Sequence, residues 1–253
     1  MNKGVMYMHH TLKYPLKKDK PDDRDYKFHE LFAVSPSLKL PGFIDLRSKC
    51  PPIFDQGQLG SCTANAGVAC REMMYTALPT LLSRLFMYYE ERTVANAAVD
   101  SGATLRDLCK STAKNGVCEE RYMPYDITKF AVHPTADAIA NALKYKISAY
   151  HRISIMQDIK NALAITQKPV LVGMEVFEGM ESAEVASTGV LHMPTKSENL
   201  LGGHAVLFVG YDDVMSRLIV RNSWGKDWGL QGYFYMPYDY VNKGLAFDFW
   251  VMY

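Results

Sequence analysis

Gln56-Gly57-Gln58-Leu59-Gly60-Ser61-Cys62 sets a side-chain amide and a thiol six positions apart across a glycine-rich turn. A carboxamide at that offset can donate to the oxygen of a carbonyl that the sulfur attacks, so the stretch reads as a nucleophile with its oxyanion donor. Two stretches far downstream complete the set. Gly202-Gly203-His204-Ala205-Val206 supplies an imidazole, and Asn222-Ser223-Trp224-Gly225 supplies an amide able to orient it. Gln, Cys, His and Asn thus follow one another along the chain, with 142 positions between Cys62 and His204.

Residues 62–76 lack proline, and good helix formers outweigh the single Gly67. Ser61 stands where an N-cap is needed, which predicts a helix with Cys62 on its first turn. Further helices are predicted over 81–94, 104–114 (closed by Asn115-Gly116), 134–144 and 155–166. The pattern then changes to short β-branched and aromatic runs at 170–177, 189–193, 204–211, 217–222, 232–236 and 247–252, which read as strands. A helical half over about 41–145 followed by an antiparallel half over about 146–253 is an α+β arrangement. The thiol lies in one half and the imidazole in the other, so the site is expected in the cleft between them.

These stretches resemble the papain-like cysteine peptidase family. The likeness rests on the cysteine turn, on Gly-Gly-His-Ala-Val running into Val209-Gly210-Tyr211, and on Asn-Ser-Trp-Gly followed by Trp228-Gly229 and Gly232-Tyr233; it spans residues 41–253. The separation of Cys62 from His204 falls within the about 130 to 150 positions typical of that family. The resemblance implies a helical subdomain packed against a β-rich one, and a cysteine endopeptidase working through a Cys62 thioester.

In that chemistry the thiolate is the reactive species, and a helix N-terminus and a nearby imidazolium both lower the thiol pKa. His204 would take the thiol proton and later give it to the leaving amine. Asn222 would accept from the imidazole Nδ1–H, Trp224 would cover that bond, and Gln56 would join the Cys62 backbone N–H at the oxyanion. By resemblance, Gly102 and Ala103 form a rim that pairs with substrate backbone. Gly173 and Ala205 line an open pocket for a bulky apolar or aromatic side chain two positions before the scissile bond. Thr63, where relatives have an aromatic residue, implies a smaller, more polar wall. His192 is the rival base. Alternatives from the same residues are an isopeptidase, amidase or acyl transferase, or a catalytically silent papain-fold binding protein.

Composition limits the other classes. The formal net charge of +1 and interspersed signs give no field to recruit nucleic acid or an anionic membrane, and the expected partner is a peptide or protein. The five cysteines make no CxxC pair, so no metal is expected, and the chemistry calls for no cofactor. Leu59 occupies the place of the family's usual disulfide cysteine, and the N-terminus lacks a secretory pattern; both favour an intracellular, reducing compartment. Residues 1–40 are polar, rich in Lys, Asp and Pro, and without sustained period. They read as an extended leader ahead of the catalytic unit, able to lie across the cleft as an intramolecular inhibitor.

Overall fold

The structure, a computed structural model, describes residues 13–31, 39–75 and 81–253. Two parts of the expected leader, residues 1–12 and 32–38, and the last position of the first predicted helix lie outside the described residues.

The first half is built on three helices: α2 (Cys62–Glu72), α3 (Arg84–Arg92) and α4 (Leu105–Asn115), with a single-turn α1 (Phe28–Leu31) before them. Every residue of α2 is buried, which explains its small side chains: a Cβ on Gly67 would sit 2.7 Å from Leu108 and 2.8 Å from Met87. Backbone approach of that kind needs Gly or Ala. Both partner helices start on side-chain caps. Ser83 Oγ accepts from Phe86 N–H at 3.0 Å and Thr104 Oγ1 from Asp107 N–H at 3.0 Å. Gly116, at φ 72°, closes α4 where Asn-Gly predicts a stop.

The second half is antiparallel, so the α+β expectation holds. Its strands are β2 (Tyr150–Ile153), β3 (Val170–Phe177), β4 (Leu200–Asp212), β5 (Arg217–Arg221), β6 (Tyr233–Pro237) and β7 (Ala246–Met252), and the first half lends β1 (Phe43–Asp45). Among the described residues they form one sheet in the order β2-β7-β3-β4-β5-β6, with β1 on β4. Residues 204–211 of β4 are all buried, which matches an apolar run without alternation. Helices α5 (Ala136–Ala142), α6 (Met156–Ala164), α7 (Ala183–Thr188) and α8 (Tyr238–Asn242) fill the connections.

Some expected elements differ. Residues 189–193 form no strand: Gly189, at φ 65°, ends α7, and Val190 makes only an isolated bridge to Tyr235. β1 and β2 have three and four residues, too short to show a period of two. No helix among the described residues is long and apolar enough to cross a membrane.

Candidate active site

Cys62 is the first residue of α2 and is 1% exposed. Ser61 holds the N-cap position but does not cap: its Oγ pairs with Tyr125 Oη at 2.6 Å and accepts from Asn65 Nδ2 at 3.0 Å. The helix's first N–H groups therefore take no bond from the Ser61 side chain. Across the cleft stands β4, where Gly173 on β3 is in register with Ala205 and Met174 with His204. The backbone at Ala205, Thr63 and Cys62 favours the charged form of the sulfur, Ala205 most.

His204 Nε2 lies 2.8 Å from Asn222 Oδ1. The nitrogen bonded to Asn222 is thus Nε2 and not Nδ1 as the sequence reading has it, because the ring is approached from β5's end. His204 Nδ1 is buried without a hydrogen-bond partner among the described residues. Trp224 stacks on the imidazole with centroids 5.0 Å apart and shields the His–Asn bond from water. Ser223 joins the two amides: its N–H donates to Asn222 Oδ1 at 2.8 Å, and its Oγ donates to Gln56 Oε1 at 2.7 Å. Gln56 Nε2 in turn donates to Leu59 O at 3.2 Å, which fixes the amide plane. Gln56, Cys62, His204, Asn222 and Trp224 are therefore all gathered at one place, and Ser223 is a link that sequence reasoning missed.

The leader occupies the cleft. Leu16 N–H donates to Gly203 O at 3.2 Å, Gly203 N–H donates to Tyr14 O at 3.2 Å, and Lys17 N–H donates to Ala103 O at 3.1 Å. The strap is therefore hydrogen-bonded to both walls. Tyr14 packs on His204 and Trp224, with centroids 6.2 and 6.1 Å away. Pro15 lies on the loop before Cys62: a Cβ at Gly60 would meet its Cγ at 2.6 Å, and a Cβ at Gly102 (φ 63°) its carbonyl oxygen at 2.2 Å. Leu16 enters the pocket floored by Gly173 and Phe247, where a Cβ on Gly173 would meet its Cδ2 at 2.8 Å. All four residues expected at the rim and pocket, Gly102, Ala103, Gly173 and Ala205, thus border this cleft.

Beyond the cleft the leader is tied into a buried ionic cluster. Asp19 Oδ1 accepts from Arg106 N–H at 3.1 Å, and Asp19 Oδ2 from Trp250 Nε1 at 2.8 Å and Arg152 Nη1 at 3.2 Å. Arg106 also clasps both Asp25 oxygens, at 2.9 and 2.5 Å. Asp248 accepts from Asp19 N–H at 2.6 Å and from Arg152. It does so from a left-handed conformation (φ 52°) within the β3–β7 register shift, a bulge that turns its carboxylate inward. Phe28, 1% exposed, continues the anchorage.

With the strap in place, burial pushes the Cys62 thiol up to about 12, against the pull of the backbone at Ala205, and Glu91 adds to the rise. Burial lowers His204 to about 4, against its bond to Asn222. The expectation of a lowered thiol pKa is thus reversed here, because desolvation of the covered pair outweighs the helix N-terminus. Thr63 is also corrected. It is fully buried and donates to Glu91 Oε1, so it faces the core and forms no wall of the cleft. The rival His192 is two-thirds exposed beside Glu184. All five cysteines are free thiols, and no group of three or more His, Cys, Asp or Glu among the described residues could hold a metal.

The model of the papain family cysteine proteases matches residues 40–246. An uncharacterized peptidase C1-like protein of Acanthamoeba polyphaga mimivirus is 40% identical over 93% of this chain and 85% of its own length. Peptidase 1 of Euroglyphus maynei is 32% identical over 81% of this chain, which spans 64% of that relative. Among solved structures, xylellain, a cysteine protease from Xylella fastidiosa, superposes with a TM-score of 0.86 at 36% identity, covering 94% of this chain and 95% of that one.

Proposed function

The chain belongs to the papain family of cysteine proteases, and on that premise we propose that it is an endopeptidase held closed by its own leader. Cys62 attacks the scissile carbonyl to form a thioester, and water releases the acyl group. His204 takes the thiol proton on Nδ1 and delivers it to the leaving amine. Asn222 holds the tautomer with the proton on Nε2, so that Nδ1 carries the lone pair. Gln56 donates the amide hydrogen not used by Leu59 to the oxyanion, beside the Cys62 N–H; one such donor is worth about 10² to 10³ in kcat.

The observation that carries this reading is the buried His204 Nδ1, without a hydrogen-bond partner among the described residues, on a ring whose other nitrogen is committed to Asn222. A silent binding protein has no need of a base lone pair kept free in its interior, which costs about 1–3 kcal/mol.

The strap supports both the inhibition and the substrate class. His204 must serve the leaving amine, so Tyr14 lies on the leaving-group side and Leu16 on the acyl side. The leader therefore runs opposite to a productive substrate, whose acyl part is N-terminal, and presents no bond in the attack geometry. Its Leu16 marks a pocket for a leucine-sized apolar residue two positions before the cleaved bond.

The test is labelling by an epoxysuccinyl thiol reagent alongside peptide hydrolysis. We expect slow stoichiometric labelling of the full chain, faster labelling and hydrolysis in Leu16→Glu, and neither in Cys62→Ala. Absence of labelling and hydrolysis in Leu16→Glu would sink the reading.

A further inference from the structure

Asp100 lies in the loop before Gly102, on the helical wall of the cleft, and its carboxylate is built into that wall. Asp100 Oδ1 accepts from Gly60 N–H at 3.1 Å and from Tyr88 Oη, the hydroxyl of a fully buried side chain on α3. Gly60 is two residues before Cys62, so the carboxylate is hydrogen-bonded to the nucleophile loop itself. Its second oxygen, Oδ2, receives the leader's Lys13 ammonium at 2.5 Å, while the Asp100 side chain stays only 12% exposed. A cation from the strap thus already sits on a nearly buried, preorganised carboxylate bonded to the loop that leads into Cys62.

The position of that carboxylate along the cleft follows from the strap. Tyr14 covers the leaving-group side and Leu16 fills the pocket two positions away on the acyl side. Pro15, between them, rests on Gly60, the residue Asp100 holds. Asp100 therefore faces the site of the residue that supplies the scissile carbonyl. When the strap leaves, Lys13 leaves with it, and a buried carboxylate without its cation is unfavourable. A substrate side chain that brings a positive charge on a long stem restores the pair; a neutral one does not.

We propose that Asp100 determines specificity at the position immediately before the scissile bond, selecting lysine or arginine there, with Lys13 standing in for that side chain in the closed state. This rests on the endopeptidase reading above. Asp100 acts on substrate binding and orientation and takes no part in proton transfer.

The test uses the full chain carrying Leu16→Glu, which puts a charge in the apolar pocket and leaves the Asp19 anchor intact. Two quenched peptides are compared, identical except for lysine or norleucine before the cleaved bond and both with leucine before that. We expect kcat/KM to favour lysine by about tenfold or more, the scale of one hydrogen bond to a charged group. Adding Asp100→Asn, which keeps an oxygen for Gly60 and Tyr88, should reduce that ratio to near one. A ratio unchanged by Asp100→Asn overturns the proposal. If that variant does not fold, added salt on the Leu16→Glu chain decides: a preference that falls with ionic strength supports the pair, and one indifferent to salt overturns it. Hydrolysis of both peptides at equal rates removes only this inference, whereas hydrolysis of neither removes the endopeptidase reading and this one with it.

Discussion

Trp250 Nε1 donates to Asp19 Oδ2 at 2.8 Å, so a fully buried indole in the sheet is satisfied by a carboxylate 231 positions earlier. The same carboxylate carries Arg106 and Arg152. The leader therefore has two parts with different physics. Residues 13–17 lie in the cleft through backbone hydrogen bonds and one inserted leucine, while Asp19, Asp25 and Phe28 complete the interior.

The two parts should respond differently to truncation. Deleting residues 1–17 should open the cleft, raise the rate of Cys62 labelling at least tenfold and leave the unfolding temperature nearly unchanged. Deleting residues 1–31 takes Asp19 and Asp25 from Arg106, takes Asp19 from Trp250 Nε1, and leaves Arg152 and Asp248 only each other; loss of one buried ionic partner alone costs about 3–5 kcal/mol. That shorter chain should be insoluble or melt far lower. Equal melting of the two truncations by calorimetry would remove the distinction.

Gln56 offers a test of the oxyanion assignment, because its amide plane is fixed at both ends by Leu59 and Ser223. In the Leu16→Glu chain, Gln56→Ala should lower kcat by about 10² to 10³ with little change in KM, since the donor acts on the developing charge and not on ground-state binding. A rise in KM at constant kcat would point instead to a substrate-binding role.

Gln56, Cys62, His204 and Asn222 were legible in the sequence because each sits in a local string whose residue types are dictated by chemistry. The rim and pocket positions came from the family resemblance, their small size suggesting only that the pocket is open. The atom through which His204 meets Asn222 was not legible, since a ring's orientation depends on the strands packed around it. The sequence misleads at Thr63 because a position along the chain does not say which face of a buried helix it occupies; its hydroxyl is turned to Glu91. The strap's course depends on pairings over separations such as Asp19 to Asp248, which leave no periodicity in a polar segment.

Ionisation of Cys62 and His204 should depend on the strap. With the thiol at about 12 and the imidazole at about 4, the covered pair is neutral throughout the neutral range. Iodoacetamide needs the thiolate, so its rate with the full chain should climb about tenfold per pH unit from 6 to 9 without a plateau. In Leu16→Glu, readmitted water removes the desolvation that opposes both charges, and the thiolate with imidazolium gains ground. Its profile should level off near neutrality. The shape of the profile, and not the absolute rate, is the readout, because access alone changes the rate at every pH equally; identical shapes would refute control of ionisation by the strap.

Glu91 supplies a second pH dependence, on stability. It is 1% exposed with Thr63 as the hydroxyl donor on Oε1, its Oε2 has no hydrogen-bond partner among the described residues, and burial raises its pKa from 4.5 to about 8. Between those values the folded chain holds a proton that the unfolded chain has lost. Stability from this group is therefore full below about pH 4.5 and is lost as pH rises toward 8. Glu72, raised to about 7 by burial, acts in the same direction, and His204, lowered to about 4, in the opposite one. Subtracting the stability curve of Glu91→Gln from that of the parent isolates Glu91, because the other groups are common to both. Glutamine keeps an oxygen for the Thr63 hydroxyl and carries no charge at any pH. The Glu91→Gln variant should match the parent near pH 4.5 and exceed it progressively up to pH 8, by on the order of a few kcal/mol in urea unfolding. A difference that does not change with pH would mean that Glu91 keeps its proton throughout or shares its charge with a partner.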